Sequence, residues 1–370
     1  MKKSYILIAV ALALVIASVA TMLLSNPGLA NAIINREKIQ NTKYDGAVSD
    51  YTWSEDLPYR LEEHAVIQKD PGRDFVVMNV ADIHLADYSQ DAVTNIRNFD
   101  NIRRMAEELQ PDLIVLSGDN VWGMMKEGST VYAIHRLTAF MDSLGIPWAP
   151  IFGNHDAEGN CDANSLAEVM MKSEYCVMQK GDPSMGVGNY IVNVCEGEKI
   201  VHSIILMDSH GNGIIGQGQQ TWYAWAVEGI QDIAGESVTS SVFMHIPIAQ
   251  YAYAYDEAWD GEGWKDGYDA FGFKREEYTG ATDENDVPVD HGLFALIKAF
   301  GSTTNVICGH DHANCYSILY EGVRLTYSLR LGYGAYFEFD QQGVTTLTID
   351  ADGDGTVEHH YLYPYDVETP

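Results

Sequence analysis

The sequence predicts an α/β fold, and three observations carry that expectation. From Phe75 onward, short apolar runs of strand length alternate with segments whose apolar residues recur at helical spacing. Each of the first apolar runs ends in a polar cluster, the place where open α/β sheets bind their ligands. The later part of the chain changes to short β segments separated by turns, which implies a second sheet packed on the first within one domain, residues 73–370.

Residues 33–72 mix charge, Thr, Asn and Pro with little periodicity and read as a linker and lead-in, so regular structure is expected from Phe75. The run 75–80 is the first strand and ends in Ala81-Asp82-Ile83-His84. Val93, Ile96, Phe99, Ile102, Met105 and Leu109 then mark one helical face, which Pro111 terminates. A strand at 113–116 ends in Ser117-Gly118-Asp119-Asn120, and Val131, Ile134, Leu137, Phe140 and Leu144 mark a second helix capped by Gly145. The run 148–152 ends in Gly153-Asn154-His155-Asp156 and completes a βαβαβ unit. Further on, 190–194 and 200–207 read as paired strands, followed by a Gln-rich helix with Trp222 and Trp225. A strand at 242–244 ends in His245, Val306 and Ile307 lead into Gly309-His310-Asp311-His312, and a hairpin is expected around Asp352-Gly353-Asp354-Gly355.

With 22 Lys and Arg against 53 Asp and Glu, the formal charge is -31, so the chain repels nucleic-acid duplexes and anionic membranes. That acidity does not oppose a metal site, because bound cations invert the local field. At the N-terminus, Lys2 and Lys3 precede an apolar run over 5–24, with a small-x-small pattern at Ala30-Asn31-Ala32. The run is about twenty residues long, enough to span a bilayer. Residues 1–32 are therefore either a cleaved signal peptide or an uncleaved anchor that tethers the protein to a membrane. Both place the remainder outside the cytoplasm, secreted or anchored. The 5 cysteines then meet a compartment that permits disulfides, and Cys161 with Cys176 is the favoured bridge. None has CxxC spacing, which argues against a thiolate zinc site.

The strand-end groups are Asp82 and His84, Asp119, Asn154 with His155, His245, and His310 with His312. Asp-x-His and His-x-His pairs put two side chains on the same side of an extended backbone. Oxygen and nitrogen donors without thiolate suit Zn, Mn or Fe. A single ion needs fewer ligands, and one carboxylate can bridge two; Asp119 is the natural bridge.

In order, Asp82-x-His84, Gly118-Asp119-Asn120, Gly153-Asn154-His155-Asp156, His245 and Gly309-His310-Asp311-His312 resemble the calcineurin-like metallophosphoesterase superfamily. Gly188-Asn189-Tyr190, Met207-Asp208-Ser209 and His245-Ile246-Pro247 look like the purple acid phosphatase branch, nearest its Dcr2 and plant type-29 acid phosphatase group. The resemblance implies an αββα sandwich of two mixed sheets. It also implies one metal on Asp82, His84 and His312, a second on Asn154, His245 and His310, and Asp119 bridging. His155 is then the general acid, oriented by Asp156. The expected activity is hydrolysis of a small phosphorylated substrate, a phosphomonoester first and a diester or nucleotide as the alternative, by hydroxide held between two divalent or trivalent ions. A non-catalytic surface binding protein on the same fold is the rival of another class. Trp122 stands where purple acid phosphatases carry an iron-ligating Tyr, so no tyrosinate colour is expected.

His64, His135, His202, His210, His291, His359 and His360 read as structural, with His210 the first exception to test. Asp350-x-Asp352-x-Asp354-Gly355 imitates a calcium loop, but Tyr361 stands where that loop needs a bidentate Glu, which favours a hairpin turn. Tyr251, Tyr253, Tyr255, Trp259, Trp264, Tyr268, Phe271 and Phe273 form an aromatic insertion between His245 and His310. It is either a self-packed loop or a wall over the metals that stacks a sugar, base or aryl group. Arg330 is a candidate partner for a phosphate or carboxylate.

Overall fold

The computed structural model describes residues 50–362 except 52, 88–90, 124–127 and 160. The proposed signal or anchor segment, 1–32 with its apolar run 5–24, lies outside the described residues. Among the described residues no helix is long and apolar enough to cross a membrane.

Two mixed sheets flanked by helices form the expected sandwich. The smaller has the order β13-β12-β2-β3-β4, with β2 (Phe75–Val80), β3 (Leu113–Ser117), β4 (Trp148–Ile151), β12 (Gly343–Ile349) and β13 (Gly355–Tyr361). β2, β3 and β4 are parallel, and each is buried along nearly its whole length, as continuous Val, Ile and Leu runs require. The larger sheet has the order β1-β5-β6-β7-β9-β11-β10-β8. Its strands are β1 (Ala65–Gln68), β5 (Tyr190–Glu196), β6 (Lys199–Leu206), β7 (Ser240–Phe243), β8 (Ala270–Phe271), β9 (Thr303–Cys308), β10 (Ser317–Tyr320) and β11 (Val323–Tyr327).

Regular structure begins earlier than expected. Ala65–Gln68 pairs in parallel with Val192–Cys195, and Tyr59 stacks on the buried His64 ring at 4.5 Å. A four-residue edge strand is too short to show a period in sequence; its partner defines it.

Helix α1 (Ala92–Leu109) starts at Asp91, whose carboxylate accepts from the Thr94 N–H. It buries Phe99, Ile102 and Met105 as expected, but Val93 and Ile96 are 63% and 56% exposed. Their place is taken by the buried Asn95 and Asn98. Asn95 bonds both backbone groups of Ala86, and Asn98 donates to the Ile83 carbonyl at 2.9 Å. The helix is thereby fastened to the loop that carries Asp82 and His84. Helix α2 (Ser129–Leu144) ends at Gly145, and α3 (Ala163–Met170) comes next. Helix α4 (Gln217–Ala234) buries Trp222, α5 (Gln250–Ala258) lies in the aromatic insertion, and α6 (Leu293–Phe300) leads into β9.

Within that insertion α5 buries Tyr251, whose hydroxyl donates to the Val306 carbonyl at 2.7 Å. Tyr255, Trp259 and Trp264 pack on one another, with ring centroids 5.1 to 5.6 Å apart. Of the two readings the self-packed one describes these rings. The hairpin reading holds for 350–355: Asp350 Oδ1 accepts from the Asp352 and Asp354 N–H groups, both at 2.9 Å, between β12 and β13. The Cys161–Cys176 bridge is not formed, and all 5 cysteines are free.

Candidate metal centre

The ends of β2, β3 and β4 meet the ends of β7 and β9 across the sandwich. Gly118, after β3, has φ +97, and a Cβ there would stand 2.4 Å from the His245 Nδ1, so the two sheets close at this point only over a glycine. His245 Nδ1 lies 2.9 Å from the Ser117 carbonyl, which turns Nε2 inward. From the other side, the His310 N–H donates to Asp82 Oδ2 at 3.1 Å.

Two donor groups share one carboxylate: Asp82, His84, Asp119 and His312, and Asp119, His245 and His310, with ligand atoms within 4.8 Å of one another in each. Asp119 Oδ2 lies 3.4 Å from His84 Nε2 and 3.3 Å from His245 Nε2. His312 Nε2 is 3.3 Å from Asp82 Oδ1 and 3.1 Å from His84 Nε2. Asn154 Oδ1 stands 3.2 Å from His245 Nε2, joining the second group. The structure therefore brings Asp82, His84, Asp119, Asn154, His245, His310 and His312, the candidate ligands named from sequence, together around Asp119.

The backbone is committed to this arrangement. Asp82, His84, Asp119 and His310 have φ of 54, 46, 50 and 77°, a region that non-glycine residues seldom adopt and that costs about 1–3 kcal/mol each. Such outliers gather where side chains must be aimed.

The electrostatics suit a cation. Burial holds the His84 imidazole down at about 3 and that of His310 at about 4, so both offer lone pairs. Burial raises Asp82, but the His312 hydrogen bond and charge outweigh it and leave the carboxyl at about 2. Burial likewise lowers His245, and the Asp119 carboxylate beside it reverses the sign, to about 10. The donor set fits metal ions on a structural test as well: Asp119 Oδ2 is buried without a hydrogen-bond partner, and two imidazole Nε2 atoms face each other across 3.1 Å. The two groups sharing Asp119 suggest a dimetal site.

His155 and Asp156 part company. Asp156 is buried, and its oxygens accept from the Gly153 N–H at 2.8 Å, the Val121 N–H at 2.9 Å and the Asn120 amide at 3.2 Å. It fixes the loop and does not orient the His155 ring, which corrects the expected role. The partner of that ring is Glu158, with Oε2 2.6 Å from Nδ1. Trp122 stacks on the other part of this group, its ring 4.7 Å from His155 and 5.4 Å from His84.

Arg330 is buried; its Nε and Nη1 donate to the carbonyls of Asp82, Ala335 and Tyr336 and so brace the site, while Nη2 is buried without a hydrogen-bond partner. His210 lies outside both donor groups and pairs with Asp208 at 3.4 Å and Gln219 at 3.1 Å. Asp311, between two ligands, accepts from the Tyr327 hydroxyl at 2.5 Å and from Thr279, and so anchors their loop. Sequence reasoning missed Glu158, Asn95, Asn98 and the Tyr336 carbonyl, which stands 3.0 Å from His312 Nδ1. Only Glu158 left a signal, three residues beyond His155.

Two sheets that bring carboxylate and imidazole donors to one buried cluster define an α/β protein with a candidate cation site. The chain belongs to the calcineurin-like phosphoesterase family, whose family model matches residues 75–314. It is similar to "Probable inactive purple acid phosphatase 28" of Arabidopsis thaliana, 28% identical over 324 residues, 76% of this chain and 75% of that one. "Probable inactive purple acid phosphatase 14" of the same plant is 25% identical over 288 residues, 69% of this chain and 67% of that one. "Phosphatase DCR2" of Saccharomyces cerevisiae is 24% identical over 278 residues, 68% of this chain and 46% of that protein. Among solved structures, a dimetal phosphatase from Danio rerio has a TM-score of 0.48 at 13% identity, covering 74% of this chain and 92% of that one.

Proposed function

We propose that this phosphoesterase hydrolyses small phosphomonoesters at a two-metal centre. The observation that carries the reading is the Asp119 carboxylate, shared between two imidazole sets at 3.3 and 3.4 Å. Asp82, His84 and His312 would hold one ion and Asn154, His245 and His310 the other, with Asp119 between them. Zn, Mn and Fe suit these donors. Ions bound there supply Lewis acidity toward a phosphate oxygen and an activated water.

The remaining steps belong to the chain. In its doubly protonated form His155 donates Nδ1–H to Glu158 Oε2, 2.6 Å away, and Nε2 delivers its own proton to the departing oxygen, leaving the neutral Nδ1–H tautomer held on Glu158. Trp122 limits the tilt of that ring by stacking on it at 4.7 Å. Asp156 holds the Gly153–Asp156 loop, so that Asn154 and His155 share one rigid mount.

Three relatives, all from Arabidopsis thaliana, carry "inactive" in their names, but here both donor sets sharing Asp119 are whole, which favours catalysis over mere binding. Residues 1–32 support an extracytoplasmic location, with 5–24 as the tether if that segment is kept. The test is metal content measured together with hydrolysis of aryl monoesters, aryl diesters and nucleotides. Bound metal with monoesters fastest is expected. A protein without metal and without turnover on the whole panel sinks the proposal, and fastest turnover of diesters moves it to phosphodiesterase.

A further inference from the structure

We infer that Tyr336 is a specificity-determining residue: its ring is a platform that receives a planar aromatic group carried by the phosphate ester. The inference rests on the phosphoesterase reading of the adjoining metal centre.

Tyr336 is 61% exposed, yet it is not a stray surface ring. Its centroid lies 4.4 Å from that of His312, so it borders one donor set directly. The loop reaches that place because Gly334 lies flat on the Asp82–His84 turn, where a Cβ would stand 1.9 Å from the His84 carbonyl. Both polar ends of Tyr336 are engaged. Its hydroxyl donates to Glu276 Oε2 at 2.7 Å, and its carbonyl meets His312 Nδ1 and Arg330. What remains open is ring surface.

The ring is also clamped. Glu276 Oε1 accepts from the Ala313 N–H at 2.5 Å, beside His312. Arg275 grips Asp340 with two nitrogens at 2.6 and 2.7 Å, which ties the loop beyond Tyr336 to the same segment. A ring held in this way loses little freedom when a ligand stacks on it, which is how a fixed aromatic surface gains affinity.

The neighbours define the occupant. The metal centre takes the phosphate, so the group over Tyr336 is the ester's organic part. Glu276 holds the Tyr336 hydroxyl, Arg275 is paired with Glu338 and Asp340, and the buried Arg330 donates to backbone carbonyls through Nη1. The Glu276 carboxylate at the ring's edge disfavours a second phosphate there, whereas an uncharged planar ring gains π contact. Aryl groups and nucleobases share that chemistry.

The test uses the full, metal-loaded protein and two esters whose alcohols are similarly basic, 2-naphthylmethyl phosphate and n-hexyl phosphate, with a nucleoside 5′-monophosphate as a third arm. The matching naphthylmethyl and hexyl phosphonates report binding without turnover. Wild type should favour the naphthylmethyl compounds, and Tyr336→Leu and Tyr336→Met should each lose that preference by about two- to tenfold. Metal content should be retained, any loss on the hexyl compounds should be smaller than that on the naphthylmethyl compounds, and Tyr336→Phe should keep the preference. Gain of the nucleotide arm identifies a base as the natural ring, and its indifference an aryl group. An unchanged preference in both non-aromatic variants, or equal loss on both esters, overturns the platform while leaving the phosphoesterase reading intact. Tyr336-dependent phosphonate binding without any hydrolysis does the reverse.

Discussion

The Nδ1 of His155 lies 2.6 Å from Oε2 of Glu158, three residues further along the same loop. The adjacent carboxylate, Asp156, turns inward to backbone N–H groups instead. The pairing engages Nδ1 of His155, and it separates two carboxylates that sequence order makes easy to confuse.

Glu158→Gln should lower kcat on alkyl phosphates by about tenfold, less than loss of the ring itself, with metal content unchanged. Asp156→Ala should instead destabilise the fold by about 1–3 kcal/mol, because it leaves buried N–H groups unpaired. Denaturant unfolding and kinetics on both variants check the division. Equal kinetic loss in each at unchanged stability would contradict it.

His155→Ala should retain its metals while losing the proton donor. The loss on alkyl phosphates should be about 10²–10⁴-fold, and much smaller on nitrophenyl phosphate, whose leaving group is stable without a proton. The ratio of the two rates is the measurement. A uniform loss would assign His155 to phosphate binding or site order.

Asp119→Asn should empty both metal positions more completely than a change at any terminal ligand, because its carboxylate faces both imidazole sets. Elemental analysis decides this. Normal occupancy of two ions in the variant would remove Asp119 as the bridge.

Tyr251→Ala should cost about 3–5 kcal/mol, the range for truncating a large buried aromatic, while leaving relative rates across substrates unchanged. The residue is fully buried, with its hydroxyl on the Val306 and Thr326 carbonyls. Altered substrate ranking at wild-type stability would return this part of the insertion to the active site.

The candidate ligands were legible in the sequence because they are side chains placed at the ends of unmistakable strands. β2, β3 and β4 are buried apolar runs, and the residues just beyond each strand are polar and irregular. Residue type and spacing carry the donor chemistry, so Asp82, His84, Asp119, Asn154, His245, His310 and His312 could be named in order. The helix α1 face was read less well. Val93 and Ile96 suit an apolar stripe, yet Asn95 and Asn98 turn inward because the carbonyls of Ile83 and Ala86 need donors there.

The sequence by itself thus determined the fold class and the residue types gathered at the strand ends. Only the tertiary structure decided which groups aim them. A backbone carbonyl such as that of Ser117 or Tyr336 orients a histidine without any residue-type signature. The pairing of β1 with β5 and the inward packing of Tyr255, Trp259 and Trp264 are likewise set by partners distant in the chain. Local periodicity records how one segment divides between core and solvent, whereas orientation within the core depends on hydrogen bonds that exist only after the sheets have met.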